Sequence, residues 1–203
     1  MSTVKSKNLQ VGTDATATNN FTIYQPSTPD GTLRIGVGNA DNPTEVAKVT
    51  NAGIINTSFP HFFGKLASNQ TLTRATVTKI TGFTSDEIDS ASAFDGTTFT
   101  VPSGQGGIYF IFSLMTGSFD TVGNDGENII SYIYKNGSAQ ALSRLSHVST
   151  GRDISYASVQ HSFMMSLNAG DTVEMYGYLV DANGSGNAYV GTASTYFGGY
   201  RIG

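Results

Sequence analysis

A chain of 203 residues with a formal net charge of −4 and no Cys excludes a disulfide framework. It also lacks the basic surface that a general nucleic-acid or anionic-membrane binder needs. Gly, Thr, Ser and Asn fill the polar positions while Phe and Tyr supply the bulk, a mixture that favours short strands and turns over helices. The length fits one or two domains, and no transmembrane run is present. The opening Met-Ser-Thr-Val-Lys-Ser-Lys-Asn has no apolar signal core. The expectation is a protein made in a cytosol and released by a non-secretory event such as lysis.

In chain order, residues 1–20 are polar and weakly patterned, and read as a flexible N-terminal arm. Residues 21–58 read as a small β-rich attachment module. Phe21-Thr22-Ile23-Tyr24 and Leu33-Arg34-Ile35-Gly36-Val37 are short strands, separated by Pro26, Pro29 and the turn pair Asp30-Gly31. Glu45 to Thr50 is a third, turning at Asn51-Ala52-Gly53 into Ile54-Ile55. So thin a piece is marginal alone, and trimerisation about an axis would supply the missing burial. Residues 59–68 read as a junction in which Phe59, Phe62 and Phe63 plug the base of the next domain. His61 sits there as a packed structural residue.

Residues 69–203 read as all-β. Thr71 to Ile80 is β-branched and alternating, Thr81 to Ala93 is a connection, and Thr97 to Val101 is a strand. Then comes the densest apolar run of the chain, residues 106–115. With period two, Ile108, Phe110, Phe112 and Leu114 point one way; Tyr109, Ile111, Ser113 and Met115 point the other. Both faces are apolar, whereas a strand with one wet face alternates cleanly. A second sheet is expected on one face and another subunit on the other. After a polar loop at 117–127, Asn128 to Tyr134 turns at Lys135-Asn136-Gly137 into a return strand. Further strands follow at 155–167, 172–180, 189–190 and 194–202. Strands at this spacing without a helical period predict an antiparallel jelly-roll sandwich of the ten-strand type.

Three landmarks carry a family resemblance. Phe94-Asp95-Gly96-Thr97-Thr98-Phe99-Thr100-Val101-Pro102 followed by Gly107-Ile108-Tyr109-Phe110 is similar to the corner and axial strand of complement-q globular heads, which belong to the tumour-necrosis-factor-like jelly rolls. Leu167-Asn168-Ala169-Gly170-Asp171-Thr172-Val173 resembles that family's "L-x-x-G-D-x-V" turn, and Ser194 to Ile202 its closing strand. The resemblance implies a homotrimer whose sheet containing the Gly-Ile-Tyr strand faces the three-fold axis. Tyr109 and Ile111, or their opposite face, would then line the axis. Tyr176, Tyr178 and Tyr200 would join them, and Tyr109→Asp would dissociate or misfold the trimer. Secreted members carry a signal and often a collagen stalk; this chain has neither, and no Gly-X-Y period. Asp30 to Gly36 followed by Val46-Ala47-Lys48-Val49-Thr50-Asn51-Ala52-Gly53 resembles the β modules of tailed-phage fibre and appendage proteins.

No catalytic set stands out: no Gly-x-Ser-x-Gly elbow, no Cys nucleophile, and no metal-binding pair among His61, His147 and His161. Asp86, Glu87 and Asp89 would serve a glycosidase only if two of them flanked a scissile bond; a solvated connection needs no such role. Asp120, Asn124, Asp125 and Glu127 make an oxygen-rich loop of the kind that calcium favours, and some members of the resembled family hold calcium near the axis. Gly123 and Gly126 equally suit a plain turn. No other cofactor is expected. The expected function is that of a non-enzymatic trimeric head or tail fibre, or knob, on the virion of a tailed phage. It would be assembled in the host cytoplasm and attached to other virion proteins through the N-terminal module. Loops carrying Asp120, Asn124, Asp125, Arg152, Asp181, Asn183 and Asn187 would touch a host-surface glycan or protein, with no nucleic-acid partner and no membrane insertion. The alternatives are a capsid decoration or adaptor protein, a glycan depolymerase, and a cellular lectin-like protein.

Overall fold

A computed structural model describes residues 8–12, 14–16, 19–56, 59–84, 88–119, 126–146, 156–181, 188–191 and 194–202. The chain divides into two compact units, Met1–Phe59 and Pro60–Gly203. No helix among the described residues is long and apolar enough to cross a membrane.

The first unit is a five-stranded antiparallel meander: β1 (Asn8–Val11), β2 (Phe21–Tyr24), β3 (Leu33–Val37), β4 (Thr44–Thr50) and β5 (Gly53–Asn56). Residues 8–11 of the segment predicted as an arm are therefore a strand. Leu9 and Val11 alternate with Asn8 and Gln10, and this short pattern finds its partner in β2. The register places Leu9, Ile23, Ile35 and Ala47 in one row, all on one side of the sheet. Val11, Phe21 and Val37 fall on the same side, as do Leu33, Val49 and Ile54. The opposite side carries Asn8, Tyr24, Arg34 and Lys48. There Arg34 pairs with Asp30 at 2.6 Å and Glu45 at 2.8 Å.

The second unit is a two-sheet sandwich. Its first sheet contains β6 (His61–Lys65), β7 (Gln70–Leu72), β9 (Ile88–Asp89), β11 (Gly107–Phe119), β14 (Tyr156–Leu167), β16 (Ala188–Val190) and β17 (Tyr196–Arg201). Its second contains β8 (Thr78–Lys79), β10 (Thr98–Thr100), β12 (Gly126–Lys135), β13 (Ser138–Ser146) and β15 (Thr172–Asp181). Both β16 and β17 lie along one edge of β11, and pair with β7 and β6 respectively. With β6/β7 and β16/β17 each taken as one interrupted strand, the sandwich is the ten-strand antiparallel jelly roll predicted from the sequence.

Three local expectations change. The segment predicted as a junction supplies β6 of the sandwich, because Phe62 and Phe63 alternate across a strand paired with β17. The single strand predicted over 71–80 is two short ones in different sheets, interrupted at Thr73–Thr76, where Ala75 has φ 55°. The loop predicted at 117–127 is shorter, since β11 runs on to Phe119 and β12 starts at Gly126. Gly117 permits the extension: a Cβ there would meet Leu179 Cδ2 at 2.8 Å across the core.

The core fills the space between the sheets. From β11 come Tyr109, Ile111 and Met115; opposite them stand Ile133, Met175 and Leu179, all six wholly buried. Phe62 is an aromatic hub, stacked on Phe99 at 4.3 Å and touching Phe94 and Phe197, each at 5.0 Å. Tyr109 keeps its hydroxyl satisfied by donating to the Gln105 carbonyl at 2.7 Å. Two turns are clasped together at one end. Asp171 accepts from Asn136 Nδ2 at 2.7 Å and from the Asn168 N–H at 2.7 Å, and Lys135 Nζ lies 2.9 Å away. The Asn136 hydrogen bond first, and then Lys135, hold this carboxyl down to about 2. Its contribution is thus present above the ordinary carboxylate range and is lost as pH falls towards 2. Asp171→Asn is expected to lower the thermal midpoint at pH 7 by about 2–4 °C, or roughly 1 kcal/mol, and to have a much smaller effect near pH 2, where the carboxyl is itself being protonated.

His161 bridges the sheets. Its Nε2 lies 2.9 Å from the Ser131 carbonyl oxygen, which only accepts, so Nε2 carries the proton. Burial pushes its pKa below the ordinary 6.5, against the weaker opposing pull of that hydrogen bond. The unfolded chain therefore binds a proton that the fold resists, and stability falls as pH drops below about 6.5, by at most ~1.4 kcal/mol per unit. Chemical denaturation between pH 7 and pH 5 checks this: His161→Gln is expected to flatten the slope over that interval.

Candidate assembly face

The outward side of the first sheet is a grid set by strand register. One row runs His61, Tyr200, Phe110, Met164; the next Phe63, Gly198, Phe112, Ser162; the third Lys65, Tyr196, Leu114, Gln160. Gly198 at the centre matters because it has no side chain. A Cβ there would meet Phe112 Cζ at 2.6 Å, so the Phe112 ring lies over the glycine. Phe63 and Phe112 consequently approach to 6.2 Å and near-parallel planes across it. Tyr196 joins both, at 5.8 Å from Phe63 and 6.3 Å from Phe112, and Phe110 contacts Phe112 at 6.2 Å and Tyr200 at 5.4 Å. Lys65 Nζ stands 5.8 Å over the Phe63 ring at the rim. Met164 is 66% exposed and Tyr200 45%. A continuous aromatic surface on a sheet whose other side already packs a core has the composition that self-association and docking surfaces share.

The sequence-based interface residues divide three ways. Tyr200 lies on this face. Tyr109 and Ile111 do not: both are 0% exposed in the chain's own core, so the opposite face of β11 is the one available to another chain. Tyr176 and Tyr178 point outward from the second sheet, since β15 pairs with β12 and β10 rather than with β11. There Tyr176 packs on Tyr134 at 4.1 Å, beside the Lys79–Glu174 ion pair at 2.6 Å. Phe63 and Tyr196, which share this face, were not singled out from the sequence as interface residues, and Phe110 and Phe112 entered only as the opposite face of β11. Phe110 and Phe112 already carried the period-two signal; what the sequence left open was which face of β11 the core would take.

The candidate ligand residues Asp120, Asn124, Asp125, Arg152, Asn183 and Asn187 lie outside the described residues, as do Asp86, Glu87 and His147. Asp181 ends β15 opposite Gly126, and Glu127 sits at a register shift near the start of β12. The ends of β11, β13 and β15 that lead into these three loops converge on one end of the sandwich, as Phe119 pairing Ala188, Ser146 pairing Asn128 and Asp181 pairing Gly126 show. Among the described residues no three His, Cys, Asp or Glu side chains cluster as metal ligands do. Asp89 is occupied locally, accepting the backbone N–H groups of Ala93 and Phe94, each at 3.0 Å.

The sandwich has a jelly-roll fold similar to that of solved tumour-necrosis-factor-like structures. Among solved structures, the Eiger TNF of S. frugiperda matches with a TM-score of 0.53 at 12% identity, covering 71% of this chain and 92% of that one. Murine APRIL at pH 5.0 matches with a TM-score of 0.51 at 12% identity, over 71% of this chain and 100% of that one. The globular domain of zebrafish complement 1qA protein gives 0.48 at 13% identity, over 71% and 98%. No protein-family model matches the sequence, and no curated protein matches it.

Proposed function

We propose that the chain is a non-enzymatic structural subunit that assembles as a homotrimer through the outward aromatic face of β11, β17 and β6. In that form it serves as a fibre or knob on the particle of a tailed phage. The aromatic grid centred on Phe112 and Gly198 carries the reading. Contiguous apolar surface of this kind is costly to leave in water, and burial against a copy of itself removes it. The tumour-necrosis-factor-like fold supports a role in assembly and binding rather than catalysis. The strand-turn-strand over Val46–Ile54, with its similarity to appendage modules, supports attachment of the N-terminal unit to other virion proteins. In this reading the protein is assembled in the host cytoplasm. The loops at the end of the sandwich defined by Phe119, Ser146 and Asp181 then meet a glycan or protein of the host surface.

The test is labelled-antibody electron microscopy of particles, together with binding of the full chain to host cells. Label on a fibre or knob and saturable binding are expected. Label on the particle without cell binding would make this a decoration protein, and no label on any particle would overturn the phage reading.

A further inference from the structure

The N-terminal sheet presents an inverted problem. Its polar side is the covered one: the loop after β3 folds over it, with Asn8 Nδ2 donating to the Ala40 carbonyl at 2.7 Å and Pro43 Cβ lying 2.8 Å from where a Gly36 Cβ would be. Thr22 and Gly36 are buried there. The apolar side is bare. Phe21 is 50% exposed, Leu33 49% and Ile54 77%, with Ile23, Ile35 and Val49 between them. An antiparallel sheet with one solvated face turns its polar side to water. This one does the reverse, so the apolar side is the one that a partner must cover.

We infer that this face is a second self-association surface, on which the N-terminal sheets of the three chains in one trimer pack against one another about a common axis. The inference rests on the trimer proposed for the jelly roll. Two observations choose sister copies over a foreign protein. The first is charge. The charged groups of the five strands, Arg34, Glu45 and Lys48, lie on the other side beside Tyr24, with Arg34 bridging Asp30 and Glu45. Identical copies meeting through the apolar face therefore bring no like charges together. The second is size. Five strands about 4.8 Å apart and three alternating rows give a face of about 19 Å by 14 Å, roughly 270 Å² in plan. A stable interface buries about 800 Å² per partner, so this patch alone would not retain a free partner. Copies already joined through their jelly rolls need no such area, because the second contact forms at the high effective concentration set by the first.

The chain contains no Cys, so single-cysteine variants report cleanly. Full-length Ile35→Cys and Leu33→Cys, on the bare face, and Lys48→Cys, on the other, are treated with a short bis-maleimide and run on denaturing gels. Leu33 is at the sheet's end and half exposed, so it reports even if Ile35→Cys disturbs the sheet. Covalent dimers are expected from both bare-face variants, about ten-fold above the Lys48→Cys level at the concentration that the shared trimer supplies. If the untreated chain is trimeric in solution but the bare-face variants cross-link no more than Lys48→Cys, the inference falls and the jelly-roll trimer stands. A monomeric chain that does not cross-link overturns both.

Discussion

Phe112→Asp is expected to convert a trimer into folded monomers. Phe112 stands outward over Gly198, and its ring touches Phe63 and Phe110 rather than the core beneath the sheet. A carboxylate there leaves Tyr109, Ile111 and Met115 undisturbed on the other side of β11. In a trimer, however, three carboxylates would be desolvated close to one another. Each would cost several kcal/mol with no partner cation, more than a micromolar assembly can absorb. Lys65 stands at the rim, over Phe63. Light scattering should fall to the mass of one chain while far-UV circular dichroism keeps its β signature. Tyr109→Asp, by contrast, is expected to unfold the subunit, because Tyr109 is wholly buried and its hydroxyl is committed to Gln105. The pair separates the two sides of one strand. Loss of assembly with the fold kept marks the outer side; loss of the fold marks the inner.

Phe62→Ala is expected to be the most destabilising truncation in the sandwich, at about 3–5 kcal/mol. Phe62 comes from the first sheet, and its ring stacks within 4.3 Å of Phe99 from the second, with Phe94 and Phe197 closing the sides. The three rings around Phe62 cannot collapse into the void, because Phe197 and Phe99 are fixed by their own strands. Urea denaturation at fixed protein concentration checks the value, since stability and assembly are linked. Phe63→Ala, one residue on, should leave the monomer's stability nearly unchanged and weaken assembly instead. A large loss of monomer stability from Phe63→Ala would contradict the in-out alternation of β6.

The sequence was legible where the needed information was local. Alternation over 107–115 located the central strand, Lys135-Asn136-Gly137 located a hairpin, and Asn168-Ala169-Gly170-Asp171 located the turn before β15. It was silent where the answer lay in long-range pairing. Both faces of β11 are apolar, so only β12 and β15, packing across from Tyr109 and Met115, decide which face is core. Tyr176 and Tyr178 alternate with Met175 and Leu179 in plain view, yet the sheet they belong to depends on pairing with β12, some forty residues earlier in the chain. Phe59, Phe62 and Phe63 read as one plug because a cluster of aromatics has no direction. Strand pairing with β17 gives it one, and sends Phe62 inward and Phe63 outward. At the N-terminus, Leu9 and Val11 were too short a pattern to stand out before β2 supplied their row. The segments expected to contact a ligand are polar and unpatterned in sequence, and no periodicity assigns them a partner.

The central claim is that the aromatic outer face of the first sheet is covered by copies of the same chain. The mass of the full chain in solution, by multi-angle light scattering across a dilution series, tests it most directly. Three chains of 21.4 kDa each, persisting into the low-micromolar range, is the result that the account predicts. A folded species of 21.4 kDa at every concentration would contradict it.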